Sequence, residues 1–457
     1  MSEVVADRSE RWEVKPLSDL ADAIQYGYTA KAKTDAAGIR YLRITDIQDN
    51  HVEWSTVPSC DVSEAESKKY LLAAGDLVFA RTGATVGKSF LIRGNIPKSV
   101  FASYLIRVRL RKHVDPRYVA HFFQSPSYWN QIAESSAGIG QPNVNGKKLA
   151  QIQIPVAPPE QQIEIVAELE KQFSRLDEAV ANLQRVKANL QRYKASVLKA
   201  AVEGRLVETE ATLARREGRT FETGEQLLQR ILEKRRAKWS GRGKWKAPEP
   251  PTTHATLPDG WTWASVDQLA DVGTGATPKR DRAAYWDDGD VPWVTSSVVN
   301  GDYVDQASEF VTKLALAETN LTLYPIGTLL LAMYGEGKTR GKCTKLRIPA
   351  STNQALAALQ VDSSIRGYLR HFLELNYEEM RKFASGGVQP NLNLGLVRAV
   401  CVPLPPLAEQ ARIVAEVDRH LSIIREVEAE VDANLQRAQA LRQATLAKAF
   451  SVGDQTC

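Results

Sequence analysis

Two segments rich in glycine and lysine hold the residues best suited to binding phosphate. The first, Gly83-Ala-Thr-Val-Gly-Lys-Ser89, resembles a nucleotide-binding P-loop, but three residues separate its first glycine from its Gly-Lys pair. A P-loop requires about four. The second, Gly335-Glu-Gly-Lys-Thr-Arg-Gly-Lys342, also misses the spacing. Because glycine allows close backbone approach and basic side chains bind phosphate oxygens, both segments favour a nucleic-acid backbone over NTP chemistry. The basic residues concerned are Arg81, Lys88, Lys338, Arg340 and Lys342.

Other catalytic patterns are missing from the sequence. The cysteines (Cys60, Cys343, Cys401 and Cys457) are far apart, and the histidines do not cluster around them, so neither a disulfide framework nor structural zinc is expected. Gly273-Thr-Gly275 is too short for a dinucleotide-binding motif. There is no Asn-Pro-Pro-Tyr-like or Asp-Pro-Pro-Tyr-like methyltransferase segment and no Ser/His/Asp or Cys/His grouping. The chain is therefore predicted to be non-catalytic and to hold no metal or cofactor of its own.

Composition limits the class of protein. A length of 457 residues predicts about three domains. A hydrophobic content of 43% and a charged content of 25% are ordinary for a soluble globular protein. No apolar run approaches the ~18 residues of a membrane helix, and the N-terminus lacks a secretory pattern, so a cytoplasmic location is expected. The net charge of +5 permits nucleic-acid binding without requiring it.

The sequence is an internal duplication. Residues 138–168 match residues 386–416 without a gap at 12 of 31 positions, at an offset of 248. Weaker matches lie upstream, where Gly75–Ala80 corresponds to Gly327–Ala332 and His121 to His371. Two copies of about 200 residues are too few and too long for a solenoid.

Each copy is predicted to contain a compact α+β domain followed by a long helix. Strand-like runs such as Tyr41–Thr45, Asp76–Ala80 and Leu105–Leu110 surround one helical stretch, Pro116–Ala133. The long helices begin near Pro159 and at 407 and carry a narrow apolar seam of the kind found in paired helices. We expect the two helices to pair with each other as a coiled coil. The alternative is that each helix packs on its own globular domain. The expected boundaries are 1–158, 159–204, 205–255, 256–406 and 407–453.

The segment 205–255 between the copies is expected to be a basic linker with one short helix. Thr223 to Trp239 is predicted to be helical, with Thr223 and Gln226 as a capping box. The basic residues are Arg230, Lys234, Arg235, Arg236, Lys238, Arg242, Lys244 and Lys246. They are expected either to be solvated or to contact phosphates or a partner subunit.

The chain resembles the specificity (S) subunit of type I restriction-modification systems. The resemblance covers nearly the whole chain and is carried by Gln141–Asn145 leading into Ile154–Gln162, and by Gln389–Asn393 leading into Val402–Gln410. Leu198–Ala201 and Leu446–Phe450 are similar to the ends of that family's helices.

The resemblance implies a division of labour in a larger complex. The globular parts would be target recognition domains, each reading one half of a bipartite site in double-stranded DNA. The helices would pair antiparallel, relate the two copies by a pseudo-two-fold axis and fix the separation of the domains. Two modification (M) subunits would dock on the helices and methylate adenine with S-adenosylmethionine. Two restriction (R) subunits, where present, would cleave DNA with ATP and Mg. Because the copies differ outside the shared motifs, we expect the two half-sites to differ.

The residues expected to contact DNA are polar, basic and aromatic side chains where strands run into loops. In the first copy they are Arg43, Thr45, Arg81, Thr82, Lys88 and Tyr104. In the second copy they are Thr295, Ser296, Tyr334, Lys338, Arg340, Asn353 and Gln354. Arginine and lysine can read guanine, and asparagine and glutamine can read adenine; a plain surface or phosphate contact is the alternative for each residue. The amides of Gln141, Asn143, Gln389 and Asn391 are expected to brace a turn.

Two other functions compete with this hypothesis. The first is a coiled-coil adaptor that binds only proteins and has no DNA specificity. The second is an NTP-using enzyme, which the P-loop spacing disfavours.

Overall fold

The computed structural model describes residues 12–34, 38–48, 50–136, 143–239, 245–253, 255–334, 339–376 and 392–451. They form two compact units, one drawn from residues 1–186 and 430–457 and the other from residues 187–429. We call the globular domain of the first unit repeat 1 and that of the second unit repeat 2.

Repeat 1 is an α+β domain of short strands and helices. Its strands are β1 (Glu13–Pro16), β2 (Ala21–Tyr26), β3 (Ile39–Leu42), β4 (Ile47–Gln48), β5 (His51–Val52), β6 (Ser59–Cys60), β7 (Leu77–Ala80), β8 (Ser89–Leu91), β9 (Ser99–Phe101), β10 (Leu105–Leu110) and β11 (Gln153–Val156). Its helices are α1 (Leu17–Leu20), α2 (Glu64–Tyr70), α3 (Pro116–Phe122), α4 (Pro126–Ser136) and α5 (Gly146–Ala150).

The sheets of repeat 1 pair strands that are far apart in the sequence. One antiparallel sheet has the order β2-β10-β7-β8, and a second has the order β6-β3-β9, in which β3 and β9 are parallel. Strand β7 is buried along its whole length, as expected for a central strand without alternating polar residues. The predicted single helix over Pro116–Ala133 is wrong, because Pro126 begins a second helix after a short break.

Repeat 2 has corresponding elements in the same chain order. Its strands are β12 (Thr262–Ser265), β13 (Ala270–Thr274), β14 (Val291–Val294), β15 (Tyr303–Val304), β16 (Glu309–Val311), β17 (Leu329–Ala332), β18 (Cys343–Leu346), β19 (Ser351–Thr352), β20 (Leu356–Val361) and β21 (Cys401–Leu404). The helices that precede and accompany them are α6 (Pro159–Val202), α7 (Glu210–Glu217), α8 (Gly224–Lys238), α9 (Val266–Leu269), α10 (Lys313–Glu318), α11 (Arg366–Leu375), α12 (Leu394–Arg398) and α13 (Leu407–Ala449).

The two largest sheets of repeat 2 correspond to those of repeat 1, with one strand added to the main sheet. The main sheet has the order β13-β20-β17-β18-β15, and the second sheet has the order β16-β14-β19. Strand β15 pairs in parallel with the edge strand β18. In repeat 1 the corresponding edge strand, β8, is the last strand of its sheet among the described residues.

In the first unit, the beginning of α6 packs against the end of α13. Arg442 lies 2.6 Å from Asp177 and its guanidinium lies 4.3 Å from the ring centre of Phe173. Leu446 and Phe450 share one hydrophobic core with Phe173 and the interior of repeat 1. The apolar side chains of α6 thus pack both on their own globular domain and beside the other long helix, so both expected arrangements occur.

In the second unit, the end of α6 packs against the beginning of α13. Gln191 donates to Glu428, and Tyr193 forms a 2.9 Å hydrogen bond with His420. The residue number rises along α6 while it falls along α13, so the two helices are antiparallel here. These contacts confirm the predicted antiparallel packing of the long helices, and the mixed strands and helices of both repeats confirm the predicted α+β class. Helix α6 ends at Val202, shortly before Gly204, whose φ of 67° suits a residue without a β-carbon.

The segment between the repeats contains two helices where one was predicted. Thr223 caps α8 with the expected reciprocal bonds to Gln226. The additional helix, α7, begins at a Thr209 cap and ends at Gly218. Within the described ranges, no helix is long and apolar enough to span a bilayer, and no group of three or more potential metal-ligating His, Cys, Asp or Glu side chains occurs.

Candidate nucleic-acid interface

Three segments meet at one edge of repeat 1. The N–H of Ala102 donates to the carbonyl of Leu42 at 2.9 Å, which joins the end of β3 to the turn before β10. The N–H of Arg81 donates to Tyr104 at 3.2 Å, and Val144 donates to Arg81 at 3.0 Å. These bonds bring together the residues that follow β3, β7 and β9.

The same main-chain bonds recur in repeat 2. Asn353 donates to Val294 at 3.0 Å, Met333 to Ala355 at 2.8 Å, and Leu392 to Met333 at 3.1 Å. These bonds place Met333 where repeat 1 has Arg81, and Ala355 where repeat 1 has Tyr104. They also place Thr295 where repeat 1 has Arg43. The two domains therefore present unlike side chains on one backbone frame.

A Gly-Lys turn is shared by both edges. In repeat 1, Gly87 donates to Ala80 at 3.0 Å and Ala80 donates to Lys88 at 2.8 Å. In repeat 2, Gly341 donates to Ala332 at 2.8 Å and Ala332 donates to Lys342 at 3.0 Å. Both glycines have φ of 87°, and a β-carbon on Gly87 would lie 2.7 Å from the Trp129 ring. The sequence already indicated Lys342 as a basic residue suited to phosphate oxygens, and the structure places it in the turn equivalent to that of Lys88.

Arg81 is positioned by its neighbours. Its guanidinium carbon lies 5.1 Å from the ring centre of Tyr26, whose hydroxyl accepts from Gly146 at 2.7 Å. The buried Nε of Arg81 has no hydrogen-bond partner in the described chain. Tyr104 beside it is 66% exposed. Thr82 forms a backbone bridge with Asn143. The structure thus brings Arg81, Thr82 and Tyr104 together, and it adds Tyr26, which the sequence reasoning missed.

Part of the Arg43 guanidinium is already bound by an ion pair within the chain. Its Nη2 lies 2.7 Å from Asp46 Oδ1 and its Nε lies 3.1 Å from Oδ2. This hydrogen bonding raises the pKa of Arg43. The predicted strand over Tyr41–Thr45 is too long, since β3 ends at Leu42 and a 3-10 helix spans Ile44–Asp46. Fewer donors of Arg43 are therefore available to a ligand.

The candidates of repeat 2 lie on the same frame. Thr295 and Ser296 follow β14, and the Thr295 hydroxyl lies 3.0 Å from that of Ser297. The side chain of Asn353 accepts from Ala355 at 3.1 Å, and Gln354 accepts from Thr277 at 2.8 Å. Tyr334 follows β17 and is exposed, and the buried Nε of Arg340 has no partner within the described ranges. Lys338 lies outside the described residues, as do Gln141, Gln389 and Asn391.

Several basic side chains of the segment 205–255 form ion pairs or hydrogen bonds within the chain. Arg230 pairs with Glu222 at 2.7 Å, and Lys234 pairs with Asp362 of repeat 2. Arg235 donates to the carbonyls of Asp267 and Gln268. The apolar face of α8 is buried in the core of the second unit. Lys234 and Arg235 thus fasten the segment to repeat 2, whereas Arg230 pairs within the segment itself.

A buried carboxylate fastens α7 to the start of α13. Trp261 donates to Glu409 Oε1 at 3.0 Å, and the N–H of Glu210 donates to Oε2 at 2.8 Å. Burial raises the pKa of Glu409. In repeat 1 the corresponding pair is Trp12 and Gln161, at 3.0 Å.

Corresponding histidines in the two repeats have opposite surroundings. Burial, helped by the nearby arginines, lowers the pKa of His121 to about 4. Burial also opposes the charging of His371, but hydrogen bonds to carboxylates outweigh it and raise its pKa. Its Nε2 lies 3.0 Å from Asp418 and its Nδ1 lies 3.8 Å from Glu374.

Comparison with known proteins identifies the family of both repeats. The family described as the type I restriction modification DNA specificity domain matches residues 9–188 and 258–436. The EcoKI specificity subunit of Escherichia coli (strain K12) is 28% identical over 229 residues, which are 49% of this chain and 48% of that protein. The putative MjaX specificity subunit of Methanocaldococcus jannaschii is 26% identical over 168 residues, covering 35% of this chain and 39% of the relative. The chain thus spans about half the length, or less, of these curated relatives.

Solved structures share the fold. A chain from work on complex assembly and conformational transition of the type I R-M system aligns with a TM-score of 0.67 at 20% identity, covering 97% of this chain and 98% of its own length. The HsdS subunit from Thermoanaerobacter tengcongensis aligns with a TM-score of 0.53 at 19% identity, over 99% and 100% of the two chains. With both repeats matched separately, this chain belongs to the type I restriction-modification DNA specificity family.

Proposed function

We propose that this chain is the DNA-reading subunit of a type I restriction-modification complex. Each globular domain reads one half of a bipartite, asymmetric site in double-stranded DNA. The chain is itself non-catalytic and works in the cytoplasm.

The observation that carries the proposal is the shared backbone frame with unlike side chains. Arg81 and Tyr104 in repeat 1 stand where repeat 2 has Met333 and Ala355. Such a difference suits two readers of different sequences, because base identity is read by side-chain donors and apolar groups. The Gly-Lys turn is common to both frames and suits a phosphate contact, which positions a protein without reading sequence.

The long helices supply the remaining parts of the proposal. They set the spacing of the half-sites and provide the docking surface for two modification subunits, which use S-adenosylmethionine to methylate adenine. Two restriction subunits, with ATP and Mg, join where the system cleaves DNA. Two-fold-related readers meet their half-sites at a spacing set by the protein.

Genome-wide methylation mapping tests the proposal. The chain is expressed with its modification subunits in a methylation-free host, and modified adenines are located by sequencing. One bipartite motif with unlike halves and a constant gap is the expected result. A strict palindrome would contradict the assignment of different readers to the two domains.

A gel-shift experiment on the assembled methyltransferase distinguishes the proposed function from that of a protein-only adaptor. A protein-only adaptor predicts equal affinity for the mapped motif and for a scrambled duplex. The proposed function predicts a preference for the motif, and interchanging the side chains of the two frames should transfer that preference between half-sites.

A further inference from the structure

Repeat 1 contains a cavity beside the edge strand β8. Its volume is about 300 Å³. The wall includes the rings of Trp54 and Phe90 and the polar side chains of His51, Arg93, Asn95 and Gln124. The cavity runs along β8 from Ser89 to Leu91 and continues past the end of the strand to Arg93 and Asn95.

Repeat 2 shows what the corresponding site holds. Ile92 and Leu346 occupy equivalent places, since Gly75 donates to Ile92 and Gly327 donates to Leu346, at 2.9 and 2.8 Å. The next residue is Arg93 in repeat 1 and Arg347 in repeat 2. Arginine is thus present at this position in both domains.

In repeat 2 an extended segment covers that arginine. Strand β15 places the ring of Tyr303 with its centre 3.6 Å from the Arg347 guanidinium and 4.7 Å from that of Arg370. Asp305, two residues later, accepts from Arg347 at 3.2 Å. An aromatic ring and a carboxylate on one extended segment therefore fill the site.

The same site of repeat 1 is not filled in this way. Ala120 stands where repeat 2 has Arg370, because Tyr118 and Tyr368, two residues earlier, donate to the equivalent carbonyls of Pro155 and Pro403. The strand of repeat 1 that corresponds to β15 in chain order is β5, which carries His51 where β15 carries Tyr303. Among the described residues β5 pairs with β4 and not with β8. The guanidinium of Arg93 is about half exposed and lies 3.8 Å from Glu170.

We propose that this cavity binds an aromatic side chain on an extended, acidic segment of a partner protein. The ring would stack on the Arg93 guanidinium, and a carboxylate two residues later would pair with its free donors. Cation–π stacking and a charge-assisted hydrogen bond reinforce each other when both use one guanidinium. A protein segment is favoured over nucleic acid because the segment that covers the equivalent arginine in repeat 2 is itself an extended protein strand with a tyrosine and an aspartate.

A peptide taken from this chain is the direct probe. A labelled peptide with the sequence of residues 301–306, Gly-Asp-Tyr-Val-Asp-Gln, is titrated into the full chain and binding is followed by fluorescence anisotropy. We expect saturable binding that R93E weakens at least ~10-fold, since both interactions are lost. The charge-matched control K112E changes an exposed lysine of repeat 1 outside the cavity wall and should bind as the parent does.

A second variant protects the test against misfolding of R93E. The double variant H51Y/A120R introduces the residues of repeat 2 and should block the peptide by filling the cavity. A peptide with benzoylphenylalanine in place of tyrosine should cross-link to Trp54 or Phe90.

Three results of the peptide experiments would overturn the proposal. They are the absence of saturable peptide binding, equal binding by the parent and by correctly folded R93E, and cross-links confined to other surfaces. If an oligonucleotide rather than the peptide bound in an Arg93-dependent way, the cavity would belong to nucleic-acid recognition and the proposal would fail. None of these measurements requires the proposed DNA function, so the two proposals can fail separately.

Discussion

Replacing Arg81 with methionine is the sharpest test of the two-reader arrangement. Methionine is the residue that repeat 2 holds at the same main-chain position, so the backbone frame can accept it. The substitution removes a guanidinium that Tyr26 orients and whose buried Nε lacks a partner among the described residues. A guanidinium held in this way can direct its terminal nitrogens to the edge of a guanine.

The expected magnitude follows from that geometry. A well-formed arginine–base contact contributes about 1–3 kcal/mol of discrimination, which corresponds to roughly 5- to 150-fold in affinity. The substitution removes the stacking on Tyr26 both from the free protein and from the DNA complex, so this stacking does not contribute to the change in DNA affinity. We therefore expect Arg81→Met to weaken binding to the cognate site by about ten- to a hundred-fold and to relax one base pair of one half-site.

The assay is a competition gel shift of the assembled methyltransferase. Each base pair of the mapped motif is substituted in turn, and each duplex is measured over a range of salt concentrations. Arg81→Lys is the control that keeps the charge but loses the planar pair of donors. If Arg81→Met weakened all duplexes equally and reduced the salt slope by about one, Arg81 would be a phosphate contact and the reasoning would be refuted.

Three further changes test other parts of the structure. Lys88→Ala should weaken binding to every duplex uniformly and reduce the salt slope by about one, as measured by filter binding; a sequence-dependent loss would contradict a phosphate role. Glu409→Ala leaves two buried donors unpaired and should destabilise the docking of α7 by about 1–3 kcal/mol in hydrogen exchange of 210–217, whereas Gln161→Ala, which frees one donor, should leave this exchange unchanged. The contribution of neutral His121 to the free energy of unfolding should be fully present above pH 6.5 and should fall by on the order of 3 kcal/mol as the pH drops to about 4. The contribution of charged His371 should be fully present below pH 6.5 and should be lost as the pH rises through its raised pKa. Urea unfolding of His121→Phe and His371→Asn across this range checks both signs, and a parallel pH response of the two variants would contradict them.

The sequence was sufficient to predict the order of the parts. The repeat of Pro155 and Pro403, and of the residues that begin each long helix, follows directly from the gapless match. The apolar seam predicted paired helices because a narrow stripe must be covered by a partner. The cap at Thr223 was predicted because its signature is local.

Most of the side-chain correspondence at the candidate interface was beyond the sequence. The offset between repeats changes from 248 near Val144 to 252 near Arg81 and 254 at Lys88, because loops differ in length. The match of Gly75–Ala80 with Gly327–Ala332 already aligns Arg81 with Met333, but only the hydrogen bonds reveal that Tyr104 corresponds to Ala355. The pairing of Lys234 with Asp362 was equally hidden, since it joins residues far apart in sequence.

The burial of Phe450 has a consequence for the order in which the chain acquires its structure during synthesis. Its ring packs 5.1 Å from Tyr118 and 5.4 Å from Phe122, inside repeat 1, which is synthesised before repeat 2. The second unit ends at residue 429, so all of its residues are synthesised before Phe450. Of the two repeats, the one made earlier is therefore completed later, because its interior closes only when the end of α13 has been synthesised.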